Sequence, residues 1–167
     1  IALALASVDV GPELLRGAIL ELRPDPLDPT LLPRLHLLPD EPWDRTYARW
    51  INDDGVVLGR GDAETSYTYN LGLHGGTPAS VRIVPGFFDA YYAEMNNATD
   101  AHETQIVWNS GGNVWRYSLG DESAEVLLAG YSMEGLGDSG QICGSQSSKG
   151  KNKSIGYRFD GFEIYDL

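Results

Sequence analysis

The chain has 167 residues, a formal net charge of −12 and a pI near 4.5. That length holds one domain with a core of its own, and the acidic excess argues against nucleic acid or an anionic membrane as partner, because neutralising phosphate needs clustered Lys and Arg. No apolar run approaches the roughly 20 residues that span a bilayer.

Ile1 to Val10 alternates Ile1, Leu3 and Leu5 with alanines, the pattern of a strand with bulky groups on one side and small ones on the other. The chain starts at Ile1 without Met; Ala4-Leu5-Ala6 has the look of a signal-peptidase site, but residues 1–6 are present, so a processed start upstream of Ile1 fits better. Gly11 to Arg23 fits a helical face and a strand alternation alike; the preferred reading is a turn at Pro12 to Leu15 and a strand over Gly17 to Leu22. Four prolines make Pro24 to Pro33 an extended connector, and Arg34 to Leu38 is a short strand. Tyr47 to Ile51 and Val56 to Leu58 flank Asn52-Asp53-Asp54-Gly55, whose Asp-Gly step predicts a hairpin. Tyr67, Tyr69, Leu71 and Leu73 form the cleanest alternating strand.

Ser80 to Ala93, SVRIVPGFFDAYYA, is the strongest local signal. Val81 and Ile83 alternate with Arg82; after Pro85-Gly86, Phe88, Ala90 and Tyr92 alternate with Phe87, Asp89 and Tyr91. Period-two alternation across Pro-Gly predicts a hairpin with one face in the core, Pro fixing φ and Gly accepting φ > 0. Val84-Pro85-Gly86-Phe87-Phe88 resembles the turn of transthyretin-like and carboxypeptidase-regulatory-like β-sandwiches, with Phe where that family usually has Thr-Tyr. The resemblance covers about a tenth of the chain. It implies an extracellular sandwich with a scaffolding or binding role and carries no catalytic residue across.

Beyond a polar loop at Asn96 to Glu103, Thr104 to Trp108 and Val114 to Leu119 flank Asn109-Ser110-Gly111-Gly112-Asn113 as a further hairpin. Glu125 to Tyr131 has three consecutive apolar positions and is expected to be buried on both faces. Ser132 to Lys153, rich in Gly, Ser and polar groups, is expected as a long loop. Ile155 to Phe159 and Phe162 to Tyr165 close the chain around Asp160-Gly161. Roughly ten short strands separated by turn signals predict an all-β fold, an antiparallel β-sandwich or jelly roll with little helix, in a single domain over 1–167.

The chemical motifs are sparse. Gly137-Asp138-Ser139-Gly140 spells a serine-protease string, but the triad is a geometry, the flanking sequence differs, and the ordinary reading is a loop. Arg60-Gly61-Asp62 is an integrin-binding tripeptide or simply a set of turn residues. Asp53 and Asp54, with Asp40, Glu41 and Asp44, are the densest carboxylates; calcium is the ion such oxygen ligands would favour, and a solvated loop is the plainer account. His36, His74 and His102 have no zinc spacing, and Cys143 stands alone, so no disulfide forms within the chain. Trp43, Trp50, Trp108 and Trp115, with nine Tyr, would make either a sugar-stacking platform or ordinary core. Asn97-Ala98-Thr99 and Asn152-Lys153-Ser154 are glycosylation sequons. Lys149, Lys151 and Lys153 form a basic cluster suited to a loop tip or an acidic neighbouring subunit.

No nucleophile, base or metal set stands out, so the expectation is a non-catalytic extracellular or cell-surface protein without a cofactor. It would be a structural or adhesive subunit of a surface or fibre assembly that self-associates, with Ile1, Leu3 and Leu5 in a strand donated to a neighbour or paired within its own chain. A carbohydrate-binding module holding a glycan, and a virion structural protein, are the alternatives.

Overall fold

The computed structural model describes residues 2–11, 14–22, 34–38, 45–62, 65–71, 82–84, 93–97, 103–147 and 154–167. Among them are fifteen strands and no helix, in four antiparallel sheets. The all-β antiparallel expectation holds. Each sheet is a meander in chain order, which makes the packed pairs of sheets sandwiches rather than jelly rolls, since a jelly roll needs Greek-key crossings. Contacts divide the chain into two compact units, Ile1–Ile83 with Phe87–Tyr91, and Val84–Gly86 with Tyr92–Leu167.

The first unit holds a three-stranded sheet of β1 (Ala2–Gly11), β2 (Leu14–Leu22) and β3 (Arg34–Leu37). Its second sheet runs β4 (Thr46–Ile51), β5 (Val56–Gly61), β6 (Ser66–Asn70) and β7 (Arg82–Ile83). β4 lies against β1 and β2. Register sets Ile51, Val57 and Tyr69 in one row and Ala48, Gly59 and Tyr67 in the next. That face closes over Ile19 and Leu38 to make the core with Val57, Tyr67 and Leu71. β5 is buried on both faces, because Val56 and Leu58 on the opposite side are buried as well.

Gly17 sets the spacing between these two sheets. Its N–H donates to Thr46 Oγ1 at 3.2 Å and its carbonyl accepts the Leu38 N–H at 2.9 Å. A β-carbon at Gly17 would stand 2.7 Å from the Ala48 nitrogen, closer than atoms in contact allow. Only glycine lets β2 and β4 approach this closely.

The second unit holds β8 (Ala93–Met95), β9 (Gln105–Ser110), β10 (Asn113–Ser118) and β11 (Ser123–Ala129). Against this sheet, through β12, packs the sheet of β12 (Tyr131–Leu136), β13 (Ile142–Ser147), β14 (Ser154–Phe159) and β15 (Ile164–Asp166). Val107, Val114 and Leu128 face Met133, Ile142, Tyr157 and Phe159 across the core. The β9–β10 turn uses Gly111 and Gly112 at φ +59° and +75°, the backbone of a type I′ hairpin.

Two expectations are corrected. Glu125 to Tyr131 is not buried on both faces: β11 is the edge of its sheet, and among its residues only Leu128 is fully buried. Three consecutive apolar residues are compatible with an edge strand that has one face covered. The stretch from Ser132 is not a long loop, since β12 and β13 occupy Tyr131–Leu136 and Ile142–Ser147. Tyr131, Met133 and Leu136 keep an apolar inner row across a bulge between Met133 and Gly135, while the Gly and Ser residues that looked loop-like lie elsewhere in the same ladder. Of the Pro-Gly hairpin, the strand Arg82–Ile83 and the buried Val84 are described; Val81, Phe88, Ala90 and Tyr92 lie outside the described residues.

Two measurements test this packing. Gly17→Ala is expected to lower stability by about 1–3 kcal/mol in urea unfolding, through overpacking between β2 and β4. Tyr157 is buried and its hydroxyl has no hydrogen-bond partner among the described residues. Tyr157→Phe, which keeps the ring, is therefore expected to hold stability or raise it by about 1 kcal/mol. Burial also pushes the Tyr157 hydroxyl up to about 12. Folding favours its neutral form, so its contribution is complete below about pH 10 and is lost as pH climbs towards the folded value. Tyr157→Phe is expected to lose less stability than wild type over that alkaline range.

Candidate functional site

Among the described residues, those nominated by sequence are spread over separate turns and strands. Gly137-Asp138-Ser139-Gly140 is the β12–β13 hairpin turn. The Gly137 N–H donates to the Gln141 carbonyl at 2.8 Å, the Gly140 N–H donates to the Gly137 carbonyl at 2.9 Å, and Gly140 takes φ +76°. Asp138 Oδ1 accepts from Asn97 Nδ2 at 3.2 Å. Turn geometry accounts for all four residues of the string.

Arg60-Gly61-Asp62 closes the β5–β6 hairpin rather than projecting from it. Gly61 is buried, and its N–H donates to the Thr65 carbonyl at 2.8 Å. Asp62 Oδ2 accepts the Arg45 N–H at 2.9 Å. Asp53 and Asp54 are exposed at the tip of the β4–β5 turn, which Asn52 fastens through its Oδ1 to the Val56 N–H at 2.9 Å. Among the described residues, no group of three or more His, Cys, Asp or Glu is placed to hold a metal. Asp40, Glu41 and Asp44 lie outside them.

Of the four tryptophans, Trp43 lies outside the described residues. Trp108 and Trp115 pair across β9 and β10 with ring centroids 6.2 Å apart and planes 15° apart. Trp108 is buried, so this stack belongs to the packing of its sheet. Trp50 on β4 is exposed. Ile1 is outside the described residues, and β1 pairs within its own chain, Leu3 opposite Glu21 and Leu5 opposite Ile19. β1 remains the edge of its sheet.

The informative geometry is at the sheet edges. β12 is an edge strand, yet side chains from the neighbouring sheet hold its backbone. The Asn109 amide grips Met133 on both sides, Nδ2 donating to the Met133 carbonyl at 2.8 Å and Oδ1 accepting the Met133 N–H at 2.7 Å. Glu94 Oε2 accepts the Leu136 N–H at 2.6 Å, and Asn96 Nδ2 donates to the Asp138 carbonyl at 3.1 Å. Sequence reading passed over these residues. Their partners lie 24 to 42 positions away, so no local pattern marks them.

The opposite edge, β15, is different. It follows a turn built on Asp160, whose Oδ1 accepts the N–H groups of Phe162 and Glu163 at 3.0 and 2.9 Å and whose Oδ2 accepts the Tyr165 hydroxyl at 3.0 Å. Phe162 at this turn is 93% exposed, and Ile164, Tyr165 and Leu167 are exposed too. Arg158 lies over the Tyr165 ring, 5.0 Å from its centroid. A second apolar surface lies on the first sheet. There Leu20 pairs with Leu35, and Ala18 with Leu37, on the face opposite the core residue Ile19. Leu35 is 53% and Leu37 42% exposed.

No family model, curated protein or solved structure matches this chain. Of Val84-Pro85-Gly86-Phe87-Phe88, Val84 is buried and the other residues lie outside the described ones.

The Asp160 turn yields a test. Hydrogen bonds from the backbone of Glu163 and of Phe162, and then from the Tyr165 hydroxyl, hold the Asp160 carboxyl below its usual range. A lowered carboxyl stabilises the hairpin above the unfolded value, and that contribution is lost as pH falls through the folded one. Amide exchange at Phe162 and Glu163 is expected to stay protected down to about pH 4 and to loosen only below it, whereas Asp160→Asn removes that pH step.

Proposed function

We propose that this protein is a non-catalytic extracellular β-sandwich, a structural or adhesive subunit of a cell-surface or fibre assembly that associates with copies of itself. The observation that carries this reading is the apolar outer face of the first sheet. Leu35 and Leu37 on the edge strand β3 present aliphatic side chains to solvent, while Leu20 beside Leu35 is half-buried and Ala18 beside Leu37 is fully buried on that same face. Neighbouring water-exposed aliphatic side chains on one sheet face support an interaction surface there. The N-terminal strand, marked by its alternation for assembly, is the edge of this same sheet. Pairing of β1 with β2 in one chain is also compatible with exchange of β1 between copies, which would reproduce the same register intermolecularly. The extracellular assignment rests on the resemblance of the Val84 to Phe88 turn and on the two sequons.

Sedimentation over a range of concentrations tests the reading. Wild type is expected to associate reversibly, and the double variant Leu35→Glu, Leu37→Glu to associate at least tenfold more weakly with an unchanged β-type circular dichroism spectrum. A wild-type chain that stays monomeric at about millimolar concentration would refute self-assembly, since that is weaker than a Kd of 1 mM.

A further inference from the structure

The two edges of the β12–β13–β14–β15 sheet are treated differently by the rest of the molecule. Backbone groups along β12 are engaged by Asn109 and Glu94, and the turn that follows it by Asn96. On β15, the Leu167 N–H donates to the Gly156 carbonyl and the Glu163 carbonyl accepts the Asp160 N–H. Cross-strand partners are Ile164 with Phe159, Tyr165 with Arg158 and Asp166 with Tyr157. Residues 163, 165 and 167 therefore bond inward, and antiparallel alternation turns the N–H and C=O of Ile164 and Asp166 outward. Nothing among the described residues pairs with that side of β15. The strand is short, three residues, but it has no proline, no lysine and no bulge to blunt it as an edge.

We propose that β15 is a docking edge for the β15 of a second copy, the two strands pairing antiparallel about a two-fold axis at Tyr165. The sequence Glu163-Ile164-Tyr165-Asp166-Leu167 is suited to that partner because acidic positions on one side of Tyr165 correspond to apolar positions on the other. In this register Ile164 faces the other copy's Asp166, Glu163 faces its Leu167, and the two Tyr165 residues face each other. Every acid lies opposite an apolar residue, so no like charges stand directly across the junction, although the chain as a whole carries −12. The outward groups of Ile164 and Asp166 make four hydrogen bonds across the axis, and the two four-stranded sheets become one continuous sheet. Such a contact is isologous and closes on itself. Combined with association through the first sheet it would give each subunit two separate contacts, the requirement for an extended assembly. Its biological role thus rests on the self-assembly reading, but its geometry does not.

The test uses the full chain. Ile164→Pro deletes an outward N–H while leaving every inward bond of β15 intact. Tyr165→Lys places two like charges across the axis and leaves the backbone untouched, which keeps the question answerable should the proline variant fold poorly. Each is expected to weaken dimerisation at least tenfold in sedimentation, while Leu35→Glu, Leu37→Glu leaves the β15 contact in place. In wild type, amide exchange at Ile164 and Asp166 is expected to slow as concentration rises, and raised salt to favour the dimer by screening the two acidic chains. If wild type associates but these two amides stay unprotected, or Tyr165→Lys associates as wild type does, the β15 contact is overturned and the broader self-assembly reading stands. A chain that is monomeric throughout overturns both.

Discussion

Every sheet leaves unpaired N–H and C=O groups along its two outer strands, and a chain built as four short meanders multiplies that exposure. How the backbone at those edges is satisfied is the constraint on which much of this structure turns. At β12 the solution is a set of side chains reaching from the neighbouring sheet. The Asn109 amide offers a donor and an acceptor with nearly the spacing of a peptide group, so it stands in for a missing strand at Met133. The same bonds tie the two sheets of that unit together at their rim, leaving the apolar contacts of Val107, Val114, Leu128 and Met133 to fill the interior.

Small residues do a related job where sheets approach. Gly17 admits the β4 backbone against β2, and Gly59 lies beneath the Tyr67 ring. Tyr67 carries a raised hydroxyl pKa, with desolvation the main cause and the hydrogen bond with Thr46 opposing it. A ring this buried is held by shape: the glycine opposite removes the β-carbon that would otherwise displace it. In the first unit, then, glycines at Gly17 and Gly59 make room for close packing, while in the second large side chains of the two sheets meet directly.

The surfaces left over define what the molecule can do. Its motif-like strings are absorbed into turns, with Asp62 and Asp138 both spent on hydrogen bonds that hold their own hairpins in place. Among the exposed large apolar residues are Leu35 and Leu37 on one sheet and Phe162, Ile164, Tyr165 and Leu167 on another, with Trp50, Val126 and Ile155 elsewhere. They lie on a chain whose net charge of −12 is a source of repulsion between copies at low salt.

The sequence by itself determined the class of fold. Period-two alternation and turn residues were enough for β1, β3, β4, β9, β10 and the closing hairpin, because both signals are local: a strand's faces follow from the alternation, and Asn-Asp-Asp-Gly or Gly-Gly forces a reversal whatever surrounds it. It did not reveal β12 and β13, whose glycines and serines look like a loop until the inner row of Tyr131, Met133, Leu136 and Ile142 is seen against its core. Nor did it show that β11 is an edge, since an apolar run has the same composition whether one face or two is covered. Which edges are sealed and which are open was decided by tertiary structure alone. Asn109 and Glu94 act on backbone 24 and 42 residues away, and only folding brings a side chain and a distant peptide group within hydrogen-bonding reach.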